Sequence, residues 1–95
     1  MMKMITEQNY RILYDDSFTK ELNKLSGEHR KLVLKKLLIL RWNPFHPSLR
    51  TKKMQGGFGN YESSVNMDIR IIWRFRQGKI IALIDVGHHD VLKKY

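Results

Sequence analysis

The C-terminal third of the sequence contains the side chains best suited to chemistry. Three arginines, Arg70, Arg74 and Arg76, alternate with apolar residues, and an imidazole pair, His88 and His89, follows a second apolar run. If the two runs form a β-hairpin, these groups and the phenol of the final tyrosine gather at one edge of a small sheet. Guanidinium and imidazole groups suit binding a phosphate of RNA and moving protons around it.

The net charge agrees with an anionic partner. The chain has 18 Lys and Arg against 9 Asp and Glu, a formal charge of +9, and a sequence pI near 10.0. Most of the excess lies after residue 40. Such a field attracts nucleic acid, although acidic proteins and anionic membranes respond to it as well.

Length and composition predict one folded domain over residues 1 to 95. Its 42% hydrophobic residues allow one modest core, and no repeat or linker divides the chain. The absence of cysteine excludes a disulfide framework and a thiolate zinc site. No apolar run approaches the roughly 20 residues of a membrane span, so we expect a cytoplasmic protein without a membrane partner.

The elements that would position the C-terminal groups follow from periodicity. Residues 9 to 14 alternate as a strand, after which Asp15, Asp16 or Ser17 can cap a helix. An apolar stripe of Phe18, Leu22 and Leu25 marks that first helix. Ser26 and Gly27 interrupt it, and a second helix follows on a stripe that includes Leu34, Leu37 and Leu38, with Val33 alongside, ending at Asn43-Pro44.

Residues 43 to 60 predict a long connection containing Pro and Gly, and long loops are often functional. Arg50, Lys52 and Lys53 lie in it with no acidic residue nearby, which suggests a phosphate clamp. Solvated loop cations are the plainer alternative. His46, between Phe45 and Pro47, is interpreted as a structural loop residue.

From residue 61 the period changes to two, over residues 61 to 67, 69 to 75 and 79 to 86, which predicts an antiparallel meander. In the middle strand one face has Ile69, Ile71, Trp73 and Phe75, and the other has Arg70, Ile72, Arg74 and Arg76. We therefore expect an α+β domain in the order β-α-α-β-β-β. Two helices should cover one face of a mainly antiparallel sheet, leaving the arginine face for function. Pairing of these arginines with Glu62, Asp68 or Asp85 is the structural alternative.

With these features in place, residues 10 to 95 resemble the RelE/ParE toxin superfamily, in particular its RelE-like ribosome-dependent mRNA endonucleases. The segments that support the resemblance occur in the family's order and spacing. They are Asn43-Pro44, Leu-Arg-Thr-Lys-Lys-Met-Gln-Gly at 49 to 56, Asp-Ile-Arg-Ile-Ile-Trp at 68 to 73, and Asp-Val-Gly-His-His-Asp at 85 to 90 followed by Tyr95.

The resemblance implies roles for three residues. Arg70 matches the family arginine that contacts the scissile phosphate, His89 matches the residue that acts at the leaving group, and Tyr95 matches a C-terminal tyrosine. The implied reaction is metal-independent: the RNA 2′-hydroxyl attacks the adjacent phosphate, giving a cyclic phosphate and a free 5′-hydroxyl.

The general base stays open at this point, because the strand before Arg70 lacks the lysines of the best-studied branch. The candidates for the general base are Glu62, His88, His89 and His46. In addition, Lys52 or Lys53 can supply positive charge from the loop. A metal site at His88, His89 and Asp90 is disfavoured, because adjacent strand residues point in opposite directions and no third ligand has suitable spacing. No cofactor is expected.

The resemblance also implies partners, namely a cognate antitoxin protein and the ribosome with its mRNA. Two other functions fit the same fold. One is ParE-like inhibition of DNA gyrase, and the other is a catalytically inert member that only binds antitoxin or nucleic acid. The combination of Arg70, His89 and Tyr95 favours RNA cleavage over both.

Overall fold

The computed structural model describes residues 9 to 56 and 58 to 95. It has a five-stranded sheet in the order β1-β5-β4-β3-β2 and two α-helices. The strands are β1 (Arg11–Tyr14), β2 (Lys52–Lys53), β3 (Asn60–Ser64), β4 (Ile69–Arg76) and β5 (Ile80–His88). The helices are α1 (Asp16–Lys24) and α2 (Gly27–Trp42). Short 3-10 helices cover Pro47–Leu49 and His89–Lys94.

The predicted α+β class and the meander β3-β4-β5 are confirmed. Both of its hairpins are antiparallel. The first strand, β1, pairs with β5 in parallel, and the long connection between them contains both helices and the strands β2 to β4. The strand β2 was not predicted. It places Lys52 opposite Glu62 and Lys53 opposite Tyr61, so part of the expected loop belongs to the sheet.

One face of the sheet forms the hydrophobic core with the helices. From the helices Phe18, Val33, Leu37 and Leu40 are buried, and from β4 Trp73 is buried with them. The Trp73 indole Nε1 donates a hydrogen bond to Ser63 Oγ at 2.8 Å, which satisfies its polar atom inside the core.

The buried side of α2 differs from the predicted stripe. Val33, Leu37 and Leu40 are buried at i, i+4 and i+7, whereas Leu34 and Leu38 are 49% and 69% exposed. Apolar and charged residues are interspersed around most of the helix, so periodicity alone does not select the face that packs.

The opposite face is less open than predicted. Ile72 is fully buried there, and the C-terminal 3-10 helix packs against β4 and β5 above it. A Cβ on Gly87 would lie 3.3 Å from Cβ of Val91, which shows how closely this helix approaches the strand. We call this side of the sheet the arginine face, because Arg70 and Arg74 flank Ile72 along β4.

Candidate active site

Arg70 is held firmly at the centre of the arginine face. Its Nη1 donates to the carbonyl oxygens of Asn66 at 2.9 Å and Ile69 at 3.2 Å. Its Nε lies 3.8 Å from Oε1 of Glu62, and both side chains are mostly buried, with 15% and 19% exposure. The pairing expected as the structural alternative therefore exists, and it also brings two candidate catalytic residues together.

The strand register arranges a row of side chains beside Arg70. Each residue of this row lies directly opposite the next one across the sheet. The row consists of Lys52 of β2, Glu62 of β3, Ile72 of β4 and Asp85 of β5. Opposed residues of antiparallel strands point to the same face of the sheet. A cation and a carboxylate thus lie on one side of Ile72, and a second carboxylate lies on the other.

Asp85 fixes the C-terminus over this face. Its carboxylate is only 3% exposed and accepts the Tyr95 hydroxyl at 2.8 Å and the Val86 backbone N–H at 2.8 Å. Nζ of Lys94 lies 3.6 Å from the same carboxylate. Burial first, and then the hydrogen bond to Asp85, raise the pKa of Tyr95 to about 12, so the phenol stays protonated at neutral pH.

From the sequence, Asp85 is a candidate partner for arginine and part of a segment that supports the family resemblance, but its contact with Tyr95 is not predicted. Simple alternation along β5 would put Asp85 on the side of Ile81 and Leu83, which lie in the core. A register shift beside Ile72 places it on the arginine face instead, and no sequence signal marked that shift.

Arg74 and Arg76 continue the arginine face along β4. Arg74 is half-buried, and its positive charge acts on Tyr95 in the direction opposite to burial, lowering the pKa. Both arginines line a groove of about 460 Å³ that Asp15 also borders. Arg76, at the end of the strand, is exposed.

His88 does not lie with the arginines as the sequence predicts. His88 pairs across the sheet with Ile69, a core residue, and so belongs to the helix side. Its Nδ1 forms a short hydrogen bond with Asp68, and its ring lies 5.9 Å from that of His29 on α2, centre to centre. His29 was not singled out from the sequence, because no local pattern connects it to β5.

Asp68 also connects His89 to the site. The backbone N–H of His89 donates to Asp68 Oδ1 at 3.2 Å, and its exposed imidazole has no hydrogen bond within residues 9 to 56 and 58 to 95. The hydrogen bond from His88, then that from His89, lower the pKa of Asp68, and Arg70 adds a smaller electrostatic effect in the same direction. Asp68 is therefore bonded to both histidines and interacts electrostatically with Arg70.

The loop cations divide into two groups. Arg50 lines a pocket of about 350 Å³ together with Arg70. Lys52 and Lys53 are exposed on the edge strand β2. His46 accepts the Ser48 backbone N–H at 3.1 Å and contacts its hydroxyl at 2.9 Å, which agrees with its interpretation as a structural residue.

Within the described part of the chain, no three or more His, Cys, Asp or Glu side chains are grouped in a way that holds a metal ion. Neither helix described by the structure has the length and apolar character needed to cross a membrane.

Comparison with solved structures connects this arrangement to known proteins. The RelE–RelB complex of Pyrococcus horikoshii contains a chain that superposes with a TM-score of 0.71 at 21% identity, covering 84% of this chain and 94% of that one. The chain has the RelE/ParE toxin fold.

Two further structures with the RelE/ParE fold superpose on this chain over nearly their whole length. A YoeB/ParE toxin from Agrobacterium tumefaciens has a TM-score of 0.70 at 12% identity, covering 83% of this chain and 98% of that one. YafQ in the DinJ–YafQ complex of E. coli has a TM-score of 0.68 at 22% identity, covering 88% and 97%. No protein-family model and no curated protein sequence matches the chain.

Proposed function

We propose that this protein is the toxin of a type II toxin–antitoxin module and cleaves translated mRNA on the ribosome, thereby inhibiting translation. The RelE/ParE fold supports the general class. The main support for the reaction is the Arg70–Glu62 pair on the arginine face. Its guanidinium can bind the phosphate, and its carboxylate, 3.8 Å away, can accept a proton.

Glu62 is our choice of general base. It lies beside Arg70, whereas His88 is directed to Asp68 and His29 on the helix side. In the proposed step the carboxylate takes the proton of the RNA 2′-hydroxyl, whose oxygen then bonds to the adjacent phosphorus. No metal ion takes part in this proposed step.

Charge on the phosphorane is stabilised by the cations of the arginine face. Arg70 provides the fixed guanidinium, and Lys52 lies opposite Glu62 in the sheet register. Arg74 extends the positive surface along β4, and Arg76 and Lys53 are exposed cations suited to more distant phosphates. Such preorganised charges favour the transition state because they need no reorientation during the reaction.

The leaving 5′-oxygen needs a proton when its bond to phosphorus breaks, and His89 is our choice of donor. Its imidazole is exposed and free of hydrogen bonds in the described part of the chain, so it is accessible to the leaving oxygen. Tyr95, held in place by the hydrogen bond that its hydroxyl donates to Asp85, provides a stacking surface for the RNA. The products are a 2′,3′-cyclic phosphate and a 5′-hydroxyl.

The proposed partners follow from the same class. Two of the similar structures are complexes with antitoxins, RelB and DinJ, and we propose a cognate antitoxin for this chain. The ribosome would position the mRNA, which compensates for the small size of the domain. The proposed site of action is therefore the cytoplasm.

The proposal is tested by induced expression of the wild type beside Arg70→Ala and His89→Ala, with primer extension on a translated transcript. Lys35→Ala, an exposed change on α2, is the matched control. We expect breaks within the reading frame that require translation, persist in the control and disappear in both site variants. Growth arrest with intact transcripts would instead indicate gyrase inhibition, and absence of arrest would indicate an inert member of the fold.

A further inference from the structure

We propose that a pocket beside Arg70 binds the phosphodiester next to the one that is cleaved, an inference that rests on the proposed function. We call it the Arg50 pocket. It has a volume of about 350 Å³ and is lined by Ser48, Arg50, Ser64, Val65, Asn66, Met67 and Arg70.

The charge of the Arg50 pocket suits one phosphate. Arg50 forms no ion pair or hydrogen bond through its guanidinium within residues 9 to 56 and 58 to 95. Arg70 enters the pocket while Glu62 pairs with its Nε, and Asp68 also acts on it electrostatically. No carboxylate lines the pocket itself, so Arg50 remains available to an incoming anion.

The backbone places Arg50 in a defined position. Its φ is 48°, in the left-handed region that non-glycine residues rarely adopt, and its N–H donates to the Pro47 carbonyl at 3.2 Å. His46 caps the same 3-10 turn through Ser48. Nζ of Lys36 donates to the carbonyl of Ser48, one of the lining residues, at 3.4 Å.

The remaining walls fit a nucleotide better than a bare anion. Ser48 and Ser64 add hydroxyl groups that can donate to phosphate oxygens. Val65 forms a buried apolar wall, and Met67, 93% exposed, provides an apolar surface for a ribose or base. Because Arg70 borders both this pocket and Glu62, a strand with one phosphate here presents its neighbour to the Arg70–Glu62 pair.

The first test uses kinetics on ribosomes programmed with an mRNA, comparing wild type, Arg50→Gln and the control Lys35→Gln. Loss of a charge-assisted phosphate contact should raise KM by about tenfold or more in Arg50→Gln, with kcat changed less than about twofold. If Arg50→Gln behaves as Lys35→Gln while the wild type cleaves, the pocket assignment is wrong and the proposed function stands.

The second test needs no cleavage and so separates the two proposals. Amide NMR spectra of the wild type and Arg50→Gln are followed during titration with thymidylyl-thymidine, which has one phosphodiester and no 2′-hydroxyl, at low salt. We expect shifts at Ser48, Ser64 and Met67 in the wild type, strongly reduced in the variant. Inorganic phosphate should produce weaker shifts at the same concentration.

Each outcome of the titration decides the pocket assignment. Shifts confined to these residues and dependent on Arg50 support it, even if the wild type proves unable to cleave mRNA and the proposed function fails. Absence of shifts overturns the assignment. Equal binding of inorganic phosphate and dinucleotide also overturns it, because the pocket would then bind anions without recognising nucleic acid.

Discussion

Replacing Tyr95 with phenylalanine should destabilise the fold by about 1 kcal/mol at neutral pH. The change removes the hydroxyl that donates to the nearly buried Asp85 at 2.8 Å. A hydrogen bond to a charged group contributes about 1.5–3 kcal/mol when well protected. Tyr95 is 40% exposed, so solvent screening reduces the expected loss of stability to about 1 kcal/mol.

The same hydrogen bond should also make the free energy of unfolding depend on pH. The folded pKa of Tyr95, about 12, is above its ordinary value of 10.0. A raised folded pKa means that the stabilisation is fully present below pH 10 and is lost as the pH rises towards 12. A shift of two units corresponds to about 2.7 kcal/mol, which screening at this exposed position again reduces to about 1 kcal/mol. The difference between wild type and Tyr95→Phe should therefore shrink over this interval.

The assay is urea unfolding followed by tryptophan fluorescence at pH 7.5 and pH 11. Comparing variant with wild type at each pH accounts for Lys94, which lies near Asp85 in both proteins. Tyr14→Phe is the matched control, since its phenol is 51% exposed with no hydrogen bond in the described residues, and we expect a change within about 0.5 kcal/mol. An equal difference at both pH values, or none at pH 7.5, would refute the reasoning.

Three further changes test other parts of the structure. Glu62→Gln should lower the cleavage rate on programmed ribosomes by about 100-fold or more if Glu62 is the general base; a rate near that of wild type excludes the role. Asp68→Asn should lower the urea midpoint at pH 6. Because pairing with His88 lowers the pKa of Asp68 from 3.8, this loss should disappear as the pH falls through that lowered value; a difference that persists in acid contradicts the pairing. Ser63→Ala should cost about 1–3 kcal/mol in urea unfolding by leaving the buried Trp73 indole N–H without its acceptor, and an unchanged midpoint would show that another acceptor replaces it.

Local periodicity was sufficient to predict the meander and the arginine face. Side chains of β4 alternate with period two, so Ile71 and Trp73 reach the core while Arg70 and Arg74 lie opposite. In α2 the same type of argument correctly included Leu37 and Val33 but also Leu34 and Leu38, which are exposed, because apolar residues occur on several sides of this helix. Only packing against the sheet decides between them.

The site depended on contacts between residues distant in sequence, and these were harder to predict. His88 lies on the helix side because β5 continues to that residue and packs near α2, where His29 meets it. The bond between Asp85 and Tyr95 requires the C-terminal segment to turn back across the sheet. Strand β2 has two lysines and no apolar alternation, so no sequence signal marked it.

The most direct test of the proposed function is the chemistry of the cut. Purified protein is incubated with ribosomes programmed with an mRNA, the cleavage position is mapped, and the message is remade with one 2′-deoxy nucleotide immediately before the break. We expect 2′,3′-cyclic phosphate and 5′-hydroxyl ends on the unmodified message and no cleavage at the deoxy position. Cleavage that persists there, or products with 5′-phosphate ends, would contradict attack by the 2′-hydroxyl and with it the proposed role of the Arg70–Glu62 pair.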